Sequence, residues 1–425
     1  MEALRRELKQ YPSSFSVADD IRAVSNGEKI KLKDKLLLEL CSTLNEFSTS
    51  MEKVRVLNLL SFLYFDLGDR KNANKYNCEV LQESPNNIIA LTNNAWFSFK
   101  DRKNVSVCEA TLKRLKTLKS DKLAHVVAKA EMAFTYSRFG MKQYDNAVLL
   151  FGEITEDMKQ ILRERTQESS QNSPSGENVK KCDSVTELKC VWTYGYAMTL
   201  RRLLHVSNTN YEEGIDVIKK RHCSVFNLYG EILELEDKSE CIQRYKARAL
   251  VEAGTLAYGV ERNKFLFPRG MEGLLPRNSS IFMPTYMYFD TALDIFSDDV
   301  FVLERSGRYF RYVDDIERSI LLLTRAIDIK GTSFGYHHLA ISYIRMLEYN
   351  PTKLRHIVES TNQINIQNML SFHQQTPESS STGHSINEKR DIRSQGHHVI
   401  DDRTRPRNVM FQIIVSYKHY RLKMI

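Results

Sequence analysis

The sequence is poor in the residues that break regular structure, with only 9 Pro and 17 Gly among 425 residues. Because strands need frequent turns, scarce Pro and Gly favour helices over a sheet-rich fold. Strong helix formers, mainly Leu, Glu, Lys, Arg and Ala, dominate most segments instead. The composition therefore predicts an all-α protein, with a length that suits about three globular domains or one elongated array.

Paired cysteines and long apolar runs are also lacking. The 7 cysteines are irregularly spaced and odd in number, and none forms a CxxC pair, which argues against a disulfide framework and a zinc site. The N-terminal MEALRRELKQ has no apolar core of the kind a signal peptide requires, and FQIIVSY near the C-terminus is too short to span a bilayer. We expect a soluble cytoplasmic protein with reduced thiols.

Recognisable catalytic motifs are missing as well. The chain has no phosphate-binding Gly loop, HExxH, GxSxG or kinase signature. The paired carboxylates Asp298-Asp299 and Asp314-Asp315 fall at predicted helix junctions, where acidic side chains stabilise helix N-termini. The sequence therefore predicts no enzyme, no cofactor and no metal site.

The formal net charge of +8 is unevenly distributed. Residues from Thr376 onward hold nine Lys or Arg and five Asp or Glu, so half of the excess lies in this tail. The near-neutral body weakens the case for nucleic-acid binding. The basic run at 112–122 has Leu and Lys each spaced three apart, which predicts an amphipathic helix with a solvated basic face or, alternatively, a phosphate-contacting face.

The stretch at 54–87 reads as two helices of one repeat. Leu57, Leu60 and Tyr64 have helical spacing, Gly68 is placed to end the first helix, and Pro85 closes the second. The 34-residue period and these residues resemble the tetratricopeptide repeat family. Compatible units follow through about residue 346, at 88–121, 126–157, 188–221, 247–299 and 300–333, with a seventh starting near Phe334.

Small residues occupy repeat position eight in every unit: Ser61, Ala95, Ala133, Gly195, Gly254 and Gly307. Gly inside a helix costs about 1 kcal/mol relative to Ala, so packing must favour the missing side chain at three of these positions. We expect helices to cross closely there, leaving space only for small residues.

The resemblance implies an all-α, right-handed superhelical solenoid of about six or seven repeats over 51–355. A helical lead-in, 1–50, precedes it. Within it we expect a flexible loop at about 164–184, which is polar and rich in Ser, and an insertion at about 263–285. Residues 356–425 are predicted to be a mostly disordered polar tail.

In the family that the chain resembles, the first helix of each repeat lines a concave groove. The residues expected to line it here, and to bind a partner, are Arg55, Asn58, Phe62, Trp96, Phe134, Tyr196, Arg248, Arg308 and Arg311. Position nine is aromatic in four of six units and is never Asn, unlike the repeats that clamp a chaperone's terminal carboxylate. An aromatic and Arg groove suits a peptide, so the resemblance implies a non-catalytic scaffold or adaptor that binds a protein partner. The alternative is that several of these aromatics pack against neighbouring helices.

A second resemblance is to the interferon-induced proteins with tetratricopeptide repeats, carried by AEMAFTYSRFGMKQYDNAVLLF at 130–151. It implies an alternative function, binding of single-stranded RNA 5′ ends in innate immunity. Stacked bases would suit the same aromatics, whereas the near-neutral body counts against a phosphate-binding tunnel. The sequence leaves the partner's identity and the oligomeric state open.

Overall fold

The computed structural model describes residues 2–21, 24–42, 50–101, 105–171, 176–210, 215–262 and 281–349. The chain divides into two compact units, Met1–Phe296 and Ser297–Ile425, the second described as far as Tyr349. The described residues of both units are helical apart from short turns. This confirms the predicted all-α fold.

The first unit contains thirteen α-helices in its described residues. They are α1 (Glu2–Leu8), α2 (Ser14–Asp20), α3 (Asn26–Ser42), α4 (Ser50–Asp66), α5 (Arg70–Glu83), α6 (Ile88–Asp101), α7 (Val105–Thr117), α8 (Lys122–Arg138), α9 (Tyr144–Gln171), α10 (Gly176–Asn210), α11 (Ile215–Leu233), α12 (Glu240–Arg262) and α13 (Thr285–Ile295). The second unit contributes α14 (Val300–Tyr312), α15 (Ile316–Ile329) and α16 (Ser333–Tyr349).

Successive helices pack in pairs that correspond to the predicted repeats. In the first unit, α4 packs on α5, α6 on α7, α8 on α9, α10 on α11 and α12 on α13. In the second, α14 packs on α15, and α16 then packs on α15 as the first helix of a further pair. Since each pair buries its apolar face on its neighbours, these contacts define a helical-repeat architecture.

Caps at the helix ends follow the sequence signals. Gly68 has φ +92° just after α4, a left-handed conformation that Gly adopts without strain. At the start of α14, the Asp299 side chain accepts a hydrogen bond from the Val302 backbone N–H at 3.0 Å. Asp315 accepts one from Arg318 N–H at 3.2 Å at the start of α15. The predicted helix-start role of these two carboxylates is therefore confirmed.

The predicted loop at 164–184 is mostly helical instead. Helix α9 continues to Gln171 and α10 begins at Gly176, so only 172–175 lie outside the described residues. The polarity of the stretch predicts a loop. Many of its polar residues are Glu, Gln, Arg and Lys, however, and these are good helix formers. Most of the insertion at 263–285 and the tail at 356–425 lie outside the described residues.

Position eight of the repeats lies at close helix contacts. A Cβ built on Gly307 would lie 2.7 Å from Leu323 Cγ on α15, and one on Gly254 would lie 2.7 Å from Tyr288 Cβ on α13. Gly195 differs, because its nearest neighbour is Phe151, 3.1 Å away on the preceding helix α9. The other three residues at position eight are small and fully buried: Ser61, Ala95 and Ala133.

Candidate functional site

The face formed by the first helix of each pair carries the predicted groove residues. In the first unit this first-helix face belongs to α4, α6, α8, α10 and α12, and in the second unit to α14 and α16. The predicted groove residues fall into three groups: those covered by the chain itself, those hydrogen-bonded in a buried polar network, and those that are partly exposed.

The N-terminal helix α2 covers the aromatic part of the face on α4 and α6. Its Phe15 ring meets Phe62 edge-on at 5.4 Å and lies tilted on Trp96 at 5.6 Å. Phe62 is fully buried and Trp96 is 8% exposed. These two residues, expected to contact a partner, therefore contact the chain's own lead-in helix, because their apolar rings gain more by burial than by exposure to water.

Polar contacts hold α2 against the same face. Asn93 Nδ2 donates to Ser14 Oγ at 3.2 Å, and the Tyr136 hydroxyl donates to an Asp20 carboxylate oxygen at 2.5 Å. Gln143 Nε2 donates to the backbone carbonyl of Asp20 at 3.0 Å. Burial, followed by the bond to Asp20, raises the pKa of Tyr136 well above its usual range. The seven-residue helix α2 thus contacts α4, α6 and α8 through ring contacts and hydrogen bonds.

Asn58 belongs to a buried polar network rather than to an open surface. Its Nδ2 donates to Glu131 Oε2 at 2.5 Å and to Asn87 Oδ1 at 3.1 Å, while Asn87 Nδ2 donates to Glu131 Oε1 at 2.6 Å. Burial raises the pKa of Glu131 to about 7, although the two amides and Arg55 act in the opposite direction. This network links α4, α6 and α8 and is available to a ligand only if it rearranges.

Arg55 and Phe134 lie together beside that network. The Arg55 guanidinium lies 4.6 Å from the centre of the Phe134 ring, and Arg138 lies 4.9 Å from it. Arg55 also bonds Glu52 at 3.3 Å, and Arg138 forms an ion pair with Glu39. The positive charge of both arginines is therefore balanced by carboxylates of the same chain.

Tyr196 and Arg248 are the more accessible predicted groove residues of the first unit. Tyr196 is half-buried and stacks on Phe151 with ring centres 6.0 Å apart, and burial raises its pKa. Arg248 is half-buried and lies 5.6 Å from the centre of the Tyr245 ring. Tyr245 itself is buried and donates a hydrogen bond to Glu52, which connects α12 with α4.

In the second unit the predicted residues Arg308 and Arg311 flank one aromatic ring. Their guanidinium carbons lie 5.2 Å and 5.0 Å from the centre of the Tyr312 ring. Arg308 is half-buried, and its Nε donates to the Tyr312 hydroxyl at 3.0 Å. Arg311 is only 3% exposed, so the structure places it inside the unit and not on an open surface.

Sequence reasoning predicted a helical lead-in over 1–50 but missed the contacts of α2 with the repeats, and it also missed the buried acids and histidine. Phe15 lies in a short Ser-rich segment without helical periodicity, so nothing in the pattern indicated an aromatic contact. Glu131 lies among Ala, Met and Phe on α8, and His338 is the second of two adjacent histidines on α16, which is a weak signal for a buried network. Among the described residues, no cluster of three or more His, Cys, Asp or Glu could hold a metal ion, and no helix combines the length and apolar content needed to cross a bilayer.

The paired helices of each unit have the fold class of an α-solenoid built from tetratricopeptide-like repeats. No protein-family model and no curated protein matches the chain. Among solved structures, a monomeric mutant of IFIT1 bound to Gppp-AAAA is 15% identical, with a TM-score of 0.50 over 84% of this chain and 68% of that one. A human IFIT1 dimer with PPP-AAAA is 16% identical over 84% and 66% of the two chains, with a TM-score of 0.46. At these identities the likeness concerns the fold alone.

Proposed function

We propose that the chain is a non-catalytic cytoplasmic scaffold that binds a segment of a partner protein on the first-helix face. The observation that carries this proposal is the placement of α2. A short peptide segment of the chain itself lies across α4, α6 and α8, held by ring contacts from Phe15 and by side-chain hydrogen bonds. A face that holds one short segment in this way has the chemistry to hold another.

The partly exposed side chains of this face are the proposed contacts. In the first unit they are Arg55, Tyr196 and Arg248, and in the second unit Arg308. Tyr and Arg are frequent binding hot spots, because each offers a large contact area together with a polar group. Phe62, Trp96, Asn58 and Phe134 would support these contacts from beneath, since all four are buried.

The alternative function is binding of single-stranded RNA 5′ ends. The IFIT1 structures contain Gppp-AAAA or PPP-AAAA, and that binding belongs to IFIT1. Against it, three arginines of the first unit have carboxylate partners: Arg55 with Glu52, Arg138 with Glu39, and Arg201 with Glu252. Phosphate binding draws on unbalanced positive charge, so the internal pairing favours a protein partner.

Selection from a random peptide library on the full chain tests the proposal. We expect enriched peptides whose affinity falls about tenfold or more in Tyr196→Ala and Arg248→Ala. The exposed Lys119→Ala is the control and should leave the affinity unchanged. A second arm measures 5′-triphosphorylated oligoadenylate at about 50 mM and 200 mM salt, where phosphate contacts predict a steep loss of affinity. Tight RNA binding of that kind, with no peptide enriched, would overturn the scaffold in favour of the alternative.

We also propose a relationship to tetratricopeptide repeat protein 22. The order of features supports it: WTYGYAMTLRRLL at 192–204, then RALVEAGTLAYGVERNKF at 248–265, and a long insertion between the two helices of that repeat. The helices on either side of the insertion, α12 and α13, pack on each other despite it.

A further inference from the structure

The second unit contains a cluster of Arg and His side chains on α14 and α16. Arg311, on α14, is 3% exposed, and its Nε and Nη1 have no hydrogen-bond partner. His338, on α16, is 8% exposed, and its Nδ1 has none either. Arg345 of α16 donates to the backbone carbonyl of Arg311 at 2.9 Å, which ties the two helices together at this point. A buried guanidinium with two unused donors is unusual, because desolvated charge ordinarily has a counter-ion.

The carboxylates near this cluster are engaged elsewhere. Asp314 bonds Arg345 at 3.1 Å, and Glu304 accepts a hydrogen bond from Thr332. Within the part of this unit that the structure describes, no ion pair joins Arg308 or Arg311 to an acid. The arginine charge is therefore left without the compensation that the arginines of the first unit have.

Neither His338 nor the unit as a whole adds to the positive charge of Arg308 and Arg311. Burial, and after it the charges of Arg311 and Arg308, lower the pKa of His338 to about 3, so this histidine is neutral at pH 7. Residues 297–349 contain seven Lys or Arg and eight Asp or Glu, a net charge of −1. The positive charge is thus a local feature of the α14–α16 face and does not reflect a basic unit.

We propose that the cluster of Arg308, Arg311 and His338 is the binding site for the carboxylate of an acidic side chain in the partner segment. The inference rests on the proposed function and specifies the partner's chemistry. Arg308, which is half-buried beside Tyr312, gives access to the cluster, and Arg311 lies more deeply. A guanidinium presents several N–H donors in a planar fork that suits a carboxylate, and a charged pair of this kind forms strong hydrogen bonds.

A carboxylate suits this position better than an RNA phosphate backbone. A polyanion gains affinity from several phosphate contacts at once, whereas the unit as a whole is slightly negative. A single carboxylate needs only a local group of positively charged donors. The neutral His338 would add a hydrogen-bond donor or acceptor rather than a second charge.

The test measures the affinity of the full chain for a labelled short poly-glutamate peptide, at constant ionic strength. A poly-glutamine peptide of equal length and an oligoadenylate are the comparison ligands. Arg311→Met removes the buried charge with little change in volume, Arg308→Gln removes the accessible one, and Lys113→Met makes the same charge change at an exposed site on α7. Melting temperatures without peptide are measured for every variant.

We expect poly-glutamate to bind and poly-glutamine not to bind, with about tenfold or greater loss of affinity in Arg311→Met and Arg308→Gln and none in Lys113→Met. Arg311→Met should not lower the melting temperature without peptide, because an uncompensated buried charge does not stabilise the fold. If Arg311→Met fails to fold, the affinity of Arg308→Gln for poly-glutamate tests the proposal. Absence of poly-glutamate binding, equal binding by all variants, or Arg311-dependent binding of oligoadenylate in its place would overturn the proposal.

The two proposals can fail separately. Library peptides that bind through Tyr196 and lose nothing when their acidic residues are replaced by amides would leave the scaffold standing without the carboxylate site. Poly-glutamate binding that depends on Arg311, with no peptide enriched from the library, would leave the carboxylate site standing without the scaffold.

Discussion

Particular arginines on the first helices of the two units differ in whether they have a carboxylate partner. In the first unit, Arg55, Arg138 and Arg201 each pair with a glutamate of the chain. In the second unit, Arg308 and Arg311 surround Tyr312 without a carboxylate partner among the described residues. Paired arginines stabilise the native packing, whereas unpaired ones leave hydrogen-bonding capacity for a ligand.

The units also differ in what covers the first-helix face. In the first, α2 lies over α4, α6 and α8 and buries Phe62 and Trp96. In the second, α14 and α16 pack on α15 around an apolar core that includes Ile320, Leu323 and Tyr343. The aromatic residues Phe62 and Trp96 at repeat position nine therefore serve packing in the first repeats, whereas Arg308 has that position in α14.

Removing the aromatic contact of α2 should have the largest effect. Phe15→Ala leaves a cavity among the Phe62, Phe65 and Trp96 rings, and we expect a loss of ~3–5 kcal/mol in the free energy of unfolding. Chemical denaturation measures it. Leu38→Ala is the control, because that side chain is 72% exposed and should change stability little. If Phe15→Ala were as mild as Leu38→Ala, α2 would not be an integral part of the first unit.

Breaking a paired arginine should cost somewhat less. Arg201→Met leaves Glu252, which is 1% exposed, without its ion-pair partner, and we expect a loss of about 3 kcal/mol. Arg311→Met is the contrasting variant, since it removes a charge that has no carboxylate partner among the described residues. Equal destabilisation by the two substitutions, measured by denaturation at one pH, would remove the distinction between the units.

Filling a close helix contact should disrupt the repeat itself. Gly307→Leu places a side chain against Leu323 and the Ser319 carbonyl oxygen, and we expect a cost on the order of 1–3 kcal/mol or more. Gly27→Leu on α3 is the matched control, because a Cβ there meets only Ser25 Oγ at 3.9 Å. An unchanged melting temperature for Gly307→Leu would contradict the close-crossing argument.

How far the sequence predicts this molecule depends on the range of the interaction. Helix pairs, the Gly68 end of α4 and the Asp299 and Asp315 caps follow from local spacing, and the structure confirms them. The repeat period does not predict contacts between segments that are far apart in the sequence. Phe15 meets Trp96, and Tyr245 bonds Glu52, through the arrangement of whole helices. For the same reason the sequence could name Arg55 and Arg311 as groove residues but could not tell which has a carboxylate partner.

The smallest predicted effect is a difference in pH response between the units. His338 has an ordinary pKa near 6.5 when unfolded and about 3 when folded, so it contributes stability above pH 6.5 that is lost progressively as the pH falls towards 3. Glu131 behaves in the opposite sense, because its folded pKa of about 7 lies above the unfolded value of 4.5 and its contribution is lost as the pH rises through 7.

His338→Gln should therefore reduce the fall in melting temperature between pH 7 and pH 5, while the exposed neighbour His337→Gln should leave that fall unchanged. Differential scanning calorimetry at the two pH values makes the measurement. An identical fall in both variants would mean that His338 is protonated in the folded unit, and that Arg311 and Arg308 lie in a less positive environment than the geometry indicates.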